Sequence, residues 1–96
     1  MNSYKIGAFA GNDIRIQGQG IDPVHAVIYQ DEEGDILIED KASKNGTYVH
    51  NIPVKRFRLK STDKIRLGSV PFDLMANFKI KDDQLLGIRP VNDLSA

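Results

Sequence analysis

The strongest constraint on this chain is a two-residue rhythm that comes in short bursts. Apolar side chains recur at alternate positions at Ile14 and Ile16, Val27 and Tyr29, Ile36 and Ile38, Ile65 and Leu67, and Val70, Phe72 and Leu74. A period of two places one set of side chains on one face of a pleated strand. Residues that turn a chain interrupt the bursts at Gly18 to Gly20, Asp31 to Asp35, Lys44 to Gly46 and Ser61 to Asp63. Many short strands with regular turns predict a β-sandwich or barrel. No segment carries a sustained helical period with caps, so little or no helix is expected.

Ninety-six residues fit one domain, with chain enough to bury roughly 60–65% of its unfolded surface. Thirteen basic and thirteen acidic residues cancel, so any charged site must be local. Cysteine is absent, which removes disulfides, thiolate catalysis and cysteine metal ligation together, and is compatible with a reducing, cytoplasmic setting. No run approaches the ~18 apolar residues of a membrane span, and no basic-then-apolar leader pattern opens the chain. The two histidines, His25 and His50, lie in no metal-ligand spacing and beside no nucleophile turn, so neither a metal site nor an enzyme is expected. The acidic stretch Asp31 to Asp35 lacks the oxygen-ligand spacing of an EF-hand and reads as a solvated hairpin tip. No cofactor is expected.

The most informative stretch is Ser43-Lys44-Asn45-Gly46-Thr47. Asn-Gly tolerates positive φ, predicting a tight reversal between the runs Ile36 to Ile38 and Thr47 to Val49. The polar groups around it either satisfy their own loop or face a ligand. Upstream stand Ile6-Gly7, Asn12-Asp13-Ile14 and Asp22-Pro23-Val24-His25; downstream comes Thr62-Asp63-Lys64-Ile65-Arg66-Leu67-Gly68. In that order and spacing, over roughly residues 4 to 76, these segments resemble the forkhead-associated (FHA) domain family. Its pattern is an isoleucine-Gly-Arg turn, N-D-I, S-R-x-H, S-x-N-G-T and a closing G-D-x-I-x-L-G. The resemblance implies an antiparallel β-sandwich with its binding loops at one end, and binding of phosphothreonine peptides.

The resemblance also implies which residues matter, and several depart from the pattern. Gly7 matches the family glycine, but Ala8 stands where the phosphate-binding arginine is expected. Asp22 replaces the serine donor and Pro23 the arginine after it. A carboxylate accepts and cannot donate, so it repels phosphate. Hydrogen bonds to charged groups contribute about 1.5–3 kcal/mol each, so losing two removes roughly 3–6 kcal/mol. At about 1.4 kcal/mol per tenfold, a micromolar affinity falls to millimolar or weaker. Lys44 precedes the motif asparagine, a position that faces the phosphate in the family, and is the first candidate to restore charge; Arg15 and Lys41 follow it. Alternatively Lys44 is solvated, or pairs with Asp22 across the loops. Asn45 is expected either to bond a peptide main chain, as the family asparagine does, or to cap its own turn. His25, Gly46, Thr47 and Gly7 read as loop supports; Ser43 and Thr47 are expected to bond loop to loop, with Ser43 also counted among the peptide-binding residues beside Asn45, Lys44, Asp22 and Ala8.

These residues describe a protein-interaction module that does not strictly require phosphothreonine. A phosphothreonine reader with rearranged contacts is the alternative. Lys55-Arg56-Phe57-Arg58-Leu59-Lys60, with Lys64 and Arg66 nearby, raises nucleic-acid binding as another, but the zero net charge and the alternation of Phe57 and Leu59 with cations suit an ordinary strand better. Only Met1 to Lys5 precede Ile6-Gly7, where the family usually has an additional strand or two, so an open sheet edge that invites self-association is expected. Residues 1–76 form the FHA-like unit; 77–96 form an extension, read as an extra hairpin and a frayed tail.

Overall fold

The computed structural model describes residues 2–60 and 62–74; the expected C-terminal hairpin and tail lie outside them. The described chain forms nine strands: β1 (Asn2–Gly7), β2 (Ile14–Arg15), β3 (Ala26–Gln30), β4 (Ile36–Asp40), β5 (Thr47–Val49), β6 (Ile52–Val54), β7 (Arg56–Leu59), β8 (Ile65–Leu67) and β9 (Val70–Phe72). They build two sheets, β2-β1-β3-β4-β7 and β6-β5-β8-β9. All pairings are antiparallel except β1 with β2, which is parallel. The fold is an all-β sandwich, and no helix among the described residues is long and apolar enough to cross a membrane.

The core lies between the sheets. Ile6, Ile14, Ile28, Ile36 and Ile38 supply one face of it, and Val49, Ile65, Leu67 and Phe72 the other. Each fully buried side chain of this size contributes about 1.5–3 kcal/mol. Ile36 and Ile38, Ile65 and Leu67 point inward as their alternation requires. In β3 the rhythm Val27 and Tyr29 marks the outer face, and the buried pair is Ala26 and Ile28. All four residues are apolar or aromatic, so alternation within β3 does not choose a face. Its neighbours do, by setting Ile28 opposite Ile38 and Ala26 opposite Ile6.

The expected hairpin across Asn45-Gly46 is not what joins β4 to β5. These strands belong to different sheets, so residues 41–46 carry the chain from one layer to the other. The tight two-residue hairpin falls just after, between β5 and β6, where His50 and Asn51 have φ of 52° and 65° and Val49 pairs with Ile52. Two successive positive φ values are what a type I′ hairpin demands. In the crossover, Gly46 has φ 83° and Ala42 an unexpected 55°, whereas Asn45 keeps negative φ. The acidic hairpin tip between β3 and β4 is as read: Asp31 Oδ1 accepts the Glu33 and Asp35 N–H groups at 3.0 and 2.9 Å.

Candidate peptide-binding loops

Three connections meet at one end of the sandwich: residues 8–13, 16–25 and 41–46. The first two are sewn together by main chain. Ala8 N–H donates to Asp22 C=O at 2.9 Å and Phe9 N–H to Pro23 C=O at 3.1 Å, while the Asn12 amide also reaches Pro23 C=O at 2.6 Å. Gly7 makes this contact possible, since a Cβ there would sit 2.2 Å from the Pro23 carbonyl oxygen. Ala8 on one side and Asp22 and Pro23 on the other are thus direct neighbours.

His25 ties the second loop to the third from inside. The ring is fully buried; Nδ1 accepts the Asp22 N–H at 3.2 Å and Nε2 lies 2.9 Å from Gly46 C=O. Both bonds form together only in the neutral tautomer with its proton on Nε2. Gly68 N–H also donates to Gly46 C=O at 2.8 Å, bringing the β8–β9 turn to the same carbonyl.

Asp22 and Lys44 do meet, though not as an ion pair. The carboxylate Oδ2 accepts the main-chain N–H of Lys44 at 3.1 Å, and the Lys44 ammonium makes no ion pair among the described residues. Main-chain N–H groups of a loop cradle anions readily; here the anion is the protein's own. Asn45 neither caps its own turn nor stands free, because its Nδ2 donates across to Gly20 C=O at 3.0 Å.

Ser43 and Thr47 also work differently from the sequence reading. Instead of bonding loop to loop, both converge within the third loop on Asp40, at the end of β4. Thr47 Oγ1 donates to Asp40 Oδ1 at 2.8 Å, Ser43 N–H to Oδ2 at 3.0 Å, and the Ser43 hydroxyl to Oδ1. That hydroxyl oxygen in turn accepts Gly46 N–H at 3.0 Å. Partial burial pushes the Asp40 carboxyl up, but the Ser43 and Thr47 hydrogen bonds more than offset it and hold it below the ordinary aspartate range. Sequence inspection missed Asp40; the signal was the Asp40-x-x-Ser43 spacing, which suits a side chain that bonds the main chain just ahead of it.

The other charged candidates are engaged by the protein itself. Arg15 Nε donates to Ala8 C=O at 3.1 Å, so a guanidinium from β2 does reach the loop that lacks the expected arginine. Lys41 lies 3.9 Å from Glu39. Beside Asn45 an open groove of about 450 Å3 runs between Gly20, Gly68 and Ser69. Arg66 lines it too, stacked 4.0 Å over the Tyr48 ring.

A family model for the FHA domain matches residues 4–68, and the chain belongs to that family. Among similar solved structures is the FhaA FHA domain complexed with the intracellular domain of Rv3910, 36% identical with a TM-score of 0.65, the match covering 70% of this chain and 72% of that one. The FHA domain of the CT664 protein from Chlamydia trachomatis is 28% identical with a TM-score of 0.68, covering 73% and 72%. Mycobacterium tuberculosis EmbR, solved in complex with a low affinity phosphopeptide, is 29% identical with a TM-score of 0.67, covering 74% of this chain and 19% of that one. No curated protein matches the chain.

Proposed function

We propose that this FHA domain is a protein-interaction module that binds a partner peptide through its loop end without strict dependence on phosphothreonine. The observation that carries this reading is the Asp22 carboxylate on the Lys44 N–H, at 3.1 Å. A negative charge already occupies a main-chain donor that an incoming phosphate would use. The Ser43 hydroxyl is committed to Asp40, and Ala8 offers no side-chain donor. What stays available is the Lys44 ammonium, which makes no ion pair among the described residues, and shape: the groove beside Asn45, with the side-chain amide of that residue positioned by Gly20. We take residues 1–76 as the interacting unit, residues 77–96 as an extension, and the cytoplasm as its setting.

A phosphothreonine reader with rearranged contacts is the second reading, favoured by the Arg15 guanidinium at the Ala8 carbonyl and by the relative solved with a phosphopeptide. Calorimetric titration with a degenerate phosphothreonine peptide library beside its unphosphorylated twin separates the two. Equal binding of both libraries is expected. Micromolar binding confined to the phosphorylated library overturns the proposal. In that event loss of binding in Arg15→Ala identifies the rearranged contact. The paired variant Ala8→Arg with Asp22→Ser is expected to gain phosphate-dependent binding on the same scaffold.

A further inference from the structure

A sheet edge recruits other strands only if it is long enough and its outward N–H and C=O groups are complete. Among the described strands four are edges: β2, β7, β6 and β9. The first has two residues, and β6 and β9 are interrupted by Pro53 and Pro71, which lack an N–H. Only β7, Arg56-Phe57-Arg58-Leu59, has four residues and no proline.

Its hydrogen-bonding phase follows from one bond. Asp40 N–H donates to Lys55 C=O at 2.8 Å, and the register sets Glu39 opposite Arg56, Ile38 opposite Phe57 and Leu37 opposite Arg58. In an antiparallel pair the bonded residues alternate, so Phe57 and Leu59 spend their main-chain groups on β4. The N–H and C=O of Arg56 and Arg58 therefore point out of the sheet. Side chains alternate as well. Leu59 is buried and Phe57 shares its inward face, yet Phe57 stays 37% exposed at the flank, as does Ile52 of neighbouring β6 at 63%. Arg56 and Arg58 project on the opposite, outer face, flanked in sequence by exposed Lys55 and Lys60.

We propose that β7 is a docking strand whose free edge adds, by main-chain pairing, an extended acidic peptide carrying carboxylates at alternate positions and an apolar residue between them. The carboxylates lie beside Arg56 and Arg58; the apolar residue covers Phe57. Charge selects this occupant over a second copy. Two β7 strands paired through their free edges would set arginine against arginine, and like charges directly opposite destabilise a strand pair. Nucleic acid fits less well, because the edge presents C=O groups, which repel phosphate, as well as N–H groups. Arg58 lies 3.3 Å from Asp35 through one of its nitrogens, and a guanidinium's five N–H donors leave others for an incoming carboxylate.

The test is amide-resolved NMR of the full chain titrated with a blocked, unphosphorylated peptide of alternating Glu and Val. The expected result is a shift and new exchange protection at the Arg56 and Arg58 amides, with no gain at Phe57 and Leu59, which β4 already protects. Arg58→Pro removes the outward N–H together with the guanidinium, touches no main-chain bond to β4, and abolishes binding. Should that variant fail to fold, Arg56→Glu with Arg58→Glu serves in its place, weakening binding by about tenfold or more. Absence of perturbation at millimolar peptide overturns the proposal, as does perturbation confined to residues 18–25 and 41–46. Tighter binding of a single-stranded oligonucleotide at the same amides overturns it in favour of nucleic acid. Protection of Arg56 and Arg58 without peptide overturns it too: concentration-dependent protection identifies a second copy, and concentration-independent protection a segment of the chain itself.

Discussion

At the loop end, Asp22 takes the Lys44 N–H, Asp40 collects Ser43 and Thr47, and Asn45 reaches Gly20. Along β7, by contrast, the outward main-chain groups of Arg56 and Arg58 have no partner among the described residues. One surface has answered its own polar groups, and a ligand there must displace bonds already made. The other offers bonds that cost nothing internal. Net hydrogen-bond energies of about 0.5–1.5 kcal/mol are small because an exchange of partners is involved. A ligand at the loop end therefore gains less from each bond it makes than one at an unpaired strand edge.

Breaking the loop end at its buried support should have the largest effect. His25→Ala removes a buried ring, leaves Asp22 N–H without its partner and takes from Gly46 C=O one of its two donors, for an expected loss of about 3–5 kcal/mol, read from the urea midpoint at constant slope. On the β7 side, Phe57→Pro deletes an N–H bonded to β4 and leaves its carbonyl partner unpaired, which should cost about 1–3 kcal/mol in the same assay. Arg58→Pro, one residue on, removes an outward N–H and should shift stability by no more than about 0.5 kcal/mol. Equal costs for the two prolines would refute the assigned phase, and with it the docking edge.

Between these in size lies Asp40. Asp40→Asn keeps the shape but loses charge-assisted bonds, and an expected cost of about 1–2 kcal/mol follows near neutral pH. The sign of its pH dependence is set by the lowered pKa. A carboxyl held below its unfolded value of about 3.9 stabilises fully above that value and loses its contribution as pH falls through the folded one. The gap between native and Asp40→Asn midpoints should therefore close on acidification below about pH 4. A gap that persists unchanged would show that Asp40 is not the hub of the third loop.

Much of this architecture was legible beforehand. The alternation of Ile36 with Ile38 and of Ile65 with Leu67 specified strands and their buried faces, because a pleat admits only two sides. In β3 the same rule was ambiguous, since Ala26 to Tyr29 is apolar on both faces. The importance of residues 43–47 was visible from their composition, but not which partner each hydroxyl or amide would choose. Asp40 is three residues from Ser43, a local spacing, but Gly20 lies 25 residues from Asn45 and meets it only through the packing of two loops, which no local propensity encodes. Asn45-Gly46 looked the better hairpin, yet His50-Asn51 took that role because β5 and β6 share a sheet and β4 and β5 do not.

By itself the sequence determined a β-sandwich of the FHA family and set Ala8, Asp22 and Pro23 in its connecting loops. Periodicity and residue chemistry are local properties, and they suffice for that. Only the tertiary structure decided that the Asp22 carboxylate sits on the Lys44 N–H, that His25 holds two loops in one tautomer, and that Arg56 and Arg58 turn their main-chain groups outward. Each depends on which strands become neighbours and in what register. That choice belongs to the packed core as a whole, where burying the isoleucines of both sheets outweighs any preference a single turn can express.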